Sequence, residues 1–191
     1  MRWRPIQFRA DMIQAILDGR KTQTRRLRGL DAVNTEPDAW KQRAFLDGRG
    51  TMLALRDVPL AGICKDDILE LICPYGAPGD GLWVKRGRFQ RKADAAAWLI
   101  ITGIRVERLQ DISDKDCVDE GAPIEDHADR VFSREMGQWV GKRNQSARHS
   151  FRALWDAING KRKGGIYAWE RNPWVWVVSF RKATKAEKEA T

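Results

Sequence analysis

Residues 174–180, Trp-Val-Trp-Val-Val-Ser-Phe, place Trp174, Trp176, Val178 and Phe180 on one side of an extended chain and Val175, Val177 and Ser179 on the other. Strand side chains alternate between faces, so a segment that is apolar on both must be covered on both. That requires a central strand with layers above and below, or one wall of a closed barrel. A second run, 97–107, sets Trp98, Ile100, Thr102, Ile104 and Val106 on one face at period two and predicts another strand. Shorter strands are expected at 68–72 and 82–85, separated by the turn-rich stretch Cys73-Pro74-Tyr75-Gly76-Ala77-Pro78-Gly79-Asp80. A doubly wound sheet needs strands alternating with helices, which this chain does not supply. The expectation is an α+β protein, a small mixed β-barrel with flanking helices.

Three helices are predicted. Met12, Ile13, Ile16 and Leu17 recur at helical spacing and Gly19 supplies the stop. Ser113 opens a second helix over 113–120, with Asp116 at the capping-box position. The third, 147–159, carries Phe151, Leu154, Trp155 and Ile158 on one stripe and ends at Gly160. Residues 29–60 have weak periodicity and frequent Gly, Asp and Pro, and read as an inserted excursion with one hairpin; 125–147 reads as a second insert. The expected organisation is one domain over 1–181 and a solvated charged tail over 182–191.

The 191 residues carry 35 Lys and Arg against 26 Asp and Glu, a net charge of +9. The excess is segregated. Residues 1–30 hold eight basic residues and two acidic ones, residues 141–163 seven and one, whereas 107–135 hold ten acidic and four basic. Such segregation suits a protein that meets a polyanion on one face; an inert solvated basic surface is the alternative. No apolar run reaches the roughly 20 residues of a membrane span, and the N-terminal residues have no secretory h-region. Three cysteines at unrelated spacings argue for a reducing compartment, so a cytoplasmic protein without membrane contact is expected.

Signatures of common chemistries are absent: the sequence has no GxxxxGK[ST] loop and no GxGxxG after a strand. His127 and His149 stand alone and the cysteines form no CxxC, so neither a metal site nor a cofactor is expected. What remains is Arg20-Lys21-Thr22-Gln23-Thr24-Arg25-Arg26, just beyond the first helix. A lysine three residues before a threonine sets an amine near a hydroxyl. A desolvated lysine of lowered pKa can take the hydroxyl proton, and a carboxylate can orient the amine. The alternative is that the basic residues contact solvent or phosphate while Thr22 and Thr24 are ordinary strand residues.

The stretch Ile16-Leu17-Asp18-Gly19-Arg20-Lys21-Thr22-Gln23-Thr24-Arg25-Arg26 resembles the GRKTxTxR opening motif of ASCH-domain proteins. Cys73 to Asp80 with Leu82-Trp83-Val84, Ile104 to Ser113 with Glu120-Gly121, Phe151 to Asn159, and Asn172 to Val178 resemble the phage and prophage branch of that family. The resemblance implies a PUA-like barrel that binds RNA or a modified nucleoside in a cleft beside the motif. Compact bacterial members hydrolyse N4-acetylcytidine to cytidine, and others are assigned ribonuclease activity. It further implies Lys21 as base, Thr24 as nucleophile and Glu120 as proton shuttle or lysine orienter, with Asp116 and Asp119 near enough to compete for that place. Arg20, Thr22, Arg25, Arg26 and Lys85 then contact substrate or phosphates, and Trp83 is a candidate stacking surface. Where relatives read LWVRET, this chain has Leu82-Trp83-Val84-Lys85-Arg86-Gly87, a basic pair in place of the acid.

Three functions compete at this level: an amidohydrolase, an RNA or modified-base binding module (a ribonuclease being its catalytic variant), and an assembly protein. No heptad or repeat supports the last. Core packing is the alternative reading for Trp98, Trp155, Trp174 and Trp176, helix capping for Ser113, and a plain last-turn position for Glu120.

Overall fold

The computed structural model describes residues 1–45, 51–56, 64–121, 131–133, 138–140 and 147–189. The second insert and His127 therefore lie largely outside the described residues. Ten strands are described: β1 (Trp3–Gln7), β2 (Gln23–Arg26), β3 (Trp40–Phe45), β4 (Thr51–Arg56), β5 (Ile68–Ile72), β6 (Gly81–Lys85), β7 (Ala97–Arg108), β8 (Val131–Ser133), β9 (Gln138–Val140) and β10 (Trp174–Lys182). Five helices accompany them: α1 (Ala10–Leu17), α2 (Asp31–Thr35), α3 (Asp114–Asp119), α4 (Ala147–Asn159) and α5 (Lys185–Glu189). The fold is α+β. Its main sheet runs β1-β6-β7-β10-β2, with β1 parallel to β6 and all other neighbours antiparallel. A meander, β3-β4-β5, forms a second sheet, and β8-β9 a hairpin.

β10 is internal, between β7 and β2, and both of its faces are buried as its composition requires. Trp176, Val178 and Phe180 enter one core with Ile6, Leu82, Val84, Leu99 and Ile101. Val175 and Val177 enter a second, with Leu109, Ile112, Cys117, Phe151 and Trp155. The stripes of α3 and α4 thus cover one face of the sheet. The first core also takes Leu30, Val33, Trp40 and Ala54, so the 29–60 excursion, with its β3–β4 hairpin, supplies wall and not only surface.

In β7 the period-two reading fails midway. Ser179 pairs with Gly103 but Phe180 pairs with Ile101, so Thr102 is extra and the strand bulges. One added residue reverses which side faces inward. Ala97, Leu99 and Ile101 point into the first core before the bulge, Ile104 and Val106 after it, and Thr102 is exposed. Trp98 is turned outward, edge-on to Trp3 with ring centroids 4.8 Å apart. Of residues 182–188, Ala183 and Glu187 are half-buried and the others exposed; they include part of the helical turn α5, whose Glu187 accepts from Arg181.

Candidate functional site

α1 ends at Leu17 with Asp18 as its C-cap, and the chain reverses at Gly19, whose φ of +79° lies in the left-handed region that a residue with a Cβ enters at a cost. The reversal is tied down at once. Lys21 N–H donates to Ala15 O at 3.0 Å, Thr22 N–H donates to Asp119 O at 2.8 Å, and Thr22 O accepts from Phe180 N–H at 2.8 Å. The opening motif is thereby fastened to the end of α3 and to β10 before β2 begins. Glu120 is the C-cap of α3 and Gly121, at φ +76°, turns the chain away. The capping role and the site role of Glu120 coexist.

This places Lys21 against Glu120, 99 positions apart. Lys21 Nζ donates to the Glu120 backbone carbonyl at 2.5 Å and to Oε2 at 2.7 Å, both side chains being almost fully buried. Burial pushes the Lys21 pKa below its ordinary 10.5, and the Glu120 carboxylate offsets part of that. Thr24 is buried, and among the described residues no side-chain hydrogen bond engages its hydroxyl.

Arg25 points inward, and its guanidinium organises the acids. Nη1 donates to Glu120 Oε1 at 3.3 Å and to Gln23 Oε1 at 2.9 Å; Nε reaches Glu107 Oε1 at 3.0 Å and Nη2 reaches Asp116 Oδ2 at 3.0 Å. Arg105 closes the lattice on Glu107 and Asp116. Its two cationic neighbours hold the Asp116 carboxyl below the usual range against the cost of burial. Ser113 caps α3 through its hydroxyl, but Asp116 does not complete a capping box, because both arginines claim its carboxylate. Arg25 thus ties Glu107, Asp116 and Glu120 together from the inner face of β2.

Lys21, Thr24, Arg25, Arg26 and Glu120 line one cavity of about 420 Å³, within the ~300–1,000 Å³ range of small-molecule sites. Its apolar wall comes from Phe8 and Met12 on one side and Phe151, Leu154, Trp155 and Ile158 of α4 on the other. Three further arginines line it, Arg9, Arg86 and Arg162, which with Arg25 and Arg26 makes five. Arg26 Nη2 donates to Gln7 O at 2.9 Å and its guanidinium lies 4.6 Å from the Phe8 ring centroid, leaving Nε buried without a partner. Among the described residues neither Arg26 nor Arg86 has a carboxylate within ion-pair distance. An aromatic wall beside unpaired guanidinium groups fits a planar ligand that carries or adjoins an anion.

The remaining candidates sit elsewhere. Arg20 is exposed and paired with Asp18 at 3.0 Å, Thr22 is exposed outside the cavity, and Lys85 donates to Arg88 O at 3.3 Å. Trp83 lies on the outward face of β6, in register with Trp98 and Pro5, while Leu82 and Val84 face the core. Of the basic pair that replaces the acid of LWVRET, Arg86 lines the cavity and Lys85 does not. The α4 wall and Arg162 were not singled out as site residues in the sequence; the apolar stripe was visible, but its cavity-facing edge was not. Much of the first basic block is also spent internally, Arg4 on Asp80, Lys21 on Glu120, and Arg25 on three acids.

Among the described residues no group of three or more His, Cys, Asp or Glu side chains is placed to hold a metal ion, and no helix is long and apolar enough to cross a membrane.

No family model and no curated protein matches the chain. Among solved structures, it is similar to the high-resolution crystal structure of an ASCH domain from Lactobacillus crispatus JV V101. That likeness has a TM-score of 0.41 and 12% sequence identity, covering 95% of this chain and 79% of the other.

Proposed function

We propose that the chain is an ASCH-like nucleic-acid protein whose cavity takes one cytosine-type base and hydrolyses an amide on its exocyclic nitrogen. The observation that carries this reading is the buried Lys21–Glu120 pair opening, with the unengaged Thr24 hydroxyl, on a cavity whose Arg26 and Arg86 have no carboxylate partner among the described residues. The chemistry follows from the parts. Lys21, whose pKa burial lowers, in its neutral form takes the Thr24 proton as the hydroxyl oxygen adds to the acyl carbonyl. The carbon–nitrogen bond breaks as the Lys21 ammonium returns that proton to the leaving nitrogen. Water then hydrolyses the acyl-threonine to the carboxylic acid and restores the hydroxyl. Glu120 orients the amine and stabilises it when charged; Arg26 and Arg86 hold the sugar-phosphate side.

Incubation with N4-acetylcytidine, free and within an RNA oligonucleotide, tests the reading by chromatographic release of cytidine. Turnover abolished by Lys21→Ala and Thr24→Ala supports it. No release from either substrate leaves a second reading, binding of RNA or a modified base without turnover, favoured by the two hydrogen bonds with which Glu120 already occupies the amine. In that case affinity falls steeply with salt, and shortening of labelled RNA identifies the ribonuclease variant.

A further inference from the structure

The segment 85–92, Lys-Arg-Gly-Arg-Phe-Gln-Arg-Lys, contains five basic residues and no acidic one. It leaves β6 at the cavity, since its second residue, Arg86, is part of the lining. At its tip Phe89 is 90% exposed, although nothing in the core requires an aromatic side chain there. Burial is the ordinary fate of phenylalanine, and a single ring held in water has a folding cost without a folding return.

The loop that holds this ring is braced. Arg86 N–H donates to Gln90 Oε1 at 2.7 Å, the Gln90 amide donates to Asp94 O, and Lys85 Nζ donates to Arg88 O at 3.3 Å. The ring is therefore presented by a fixed turn, with the Arg88 guanidinium 5.8 Å from its centroid. Arg91 has one acidic neighbour, Asp94 at 3.7 Å, but both side chains are exposed and such a pair is weak. Cations that track a backbone beside an aromatic face that accepts any base are the two elements of single-strand recognition. The loop starts at the cavity, through Arg86, and carries its ring three residues further on, so a strand is the occupant that uses both.

We infer that the loop 85–92 is a subsite for the nucleotides flanking the one in the cavity, Phe89 stacking on a neighbouring base and Arg88 and Arg91 meeting its phosphates. The substrate is then a single-stranded polynucleotide, not a free nucleoside. This rests on the cavity reading above, and the test separates the two.

Binding of cytidine 5′-monophosphate is compared with that of nine-nucleotide single-stranded RNA and DNA containing one cytosine, by titration calorimetry and fluorescence anisotropy. The oligonucleotide is expected to bind at least tenfold more tightly than the mononucleotide. Phe89→Ala is expected to shrink that ratio about tenfold, and Arg88→Ala with Arg91→Ala to lower the salt slope by about two. Because all three side chains are solvent-exposed, circular dichroism of the variants is expected to match the parent. Equal affinity for mononucleotide and oligonucleotide overturns the inference, as does a ratio unmoved by Phe89→Ala. Equal affinity for a nine-residue polyglutamate peptide overturns it too. Tight, Phe89-dependent oligonucleotide binding that ignores Arg26→Ala supports the loop subsite and defeats the cavity reading instead.

Discussion

Lys21 and Glu120, 99 positions apart, meet through two hydrogen bonds from one amine: to the carbonyl at 2.5 Å and to the carboxylate at 2.7 Å. The carbonyl is the C-terminal end of α3 and the carboxylate's other oxygen faces Arg25, so the pair locks the motif loop, a helix end and β2 into one unit. A buried ion pair contributes little net stability by itself, but losing one member strands the other.

Glu120→Ala is accordingly expected to cost about 3–5 kcal/mol, because the buried Lys21 amine keeps only the backbone carbonyl of residue 120 and the buried Arg25 guanidinium loses one of its three carboxylates. Lys21→Met costs less, since Glu120 keeps Arg25. The double variant Lys21→Met with Glu120→Ala is expected to cost less than the sum, with a coupling of roughly 1–3 kcal/mol. Urea denaturation of the four proteins checks this; additive costs would show that the pair is not coupled.

The lowered pKa of Lys21 makes a signed prediction. The folded protein releases the Lys21 proton at a lower pH than the unfolded chain, whose lysine titrates near 10.5. Between the two values the unfolded state holds more protons, so this residue's contribution to stability increases as pH rises through that window. The stability of the parent minus that of Lys21→Met, followed by denaturation from pH 7 to 10.5, should therefore climb. A flat difference would mean that the amine titrates alike in both states. If Lys21 is the base, kcat/KM climbs over the same window and levels off below 10.5.

Gly121 and Gly19 both hold positive φ, yet their surroundings differ. A Cβ at Gly121 would lie 3.2 Å from Lys21 Cβ and 3.3 Å from Ala15 Cβ, whereas at Gly19 nothing lies within 4 Å. Each alanine substitution is expected to cost about 1–2 kcal/mol of backbone strain. Gly121→Ala should in addition displace Lys21. Thermal denaturation should rank the two variants close together, while turnover or ligand affinity falls much further in Gly121→Ala.

Several of these features were legible in the chain because they depend on near neighbours. The two-faced apolarity of β10, the stripe of α4, the Gly19 stop and the Ser113 cap are local patterns, and the structure holds each of them. The motif residues Lys21 and Thr24 and the distant Glu120 do come to one cavity. Thr102 shows where such reading ends: an alternating run looks continuous until pairing with β10 sets one residue aside and reverses the inward face.

The amino-acid sequence by itself determined which segments extend, which coil and where they stop, since periodicity and capping act over a few residues. Only the tertiary structure decided what the charges do. Arg25 and Arg26 are adjacent and chemically identical, yet one binds three acids drawn from positions 107, 116 and 120, while the other meets no carboxylate among the described residues and keeps a buried Nε without a partner. Strand alternation turns them to opposite sides: the acids that meet Arg25 lie 82, 91 and 95 positions along the chain, whereas Arg26 meets Gln7 and Phe8 of the N-terminal segment. The same holds for Trp83, turned outward by register, and for Arg86, brought to the cavity by the end of its strand. Long-range packing, set by which faces bury together, assigns partners that no local pattern encodes.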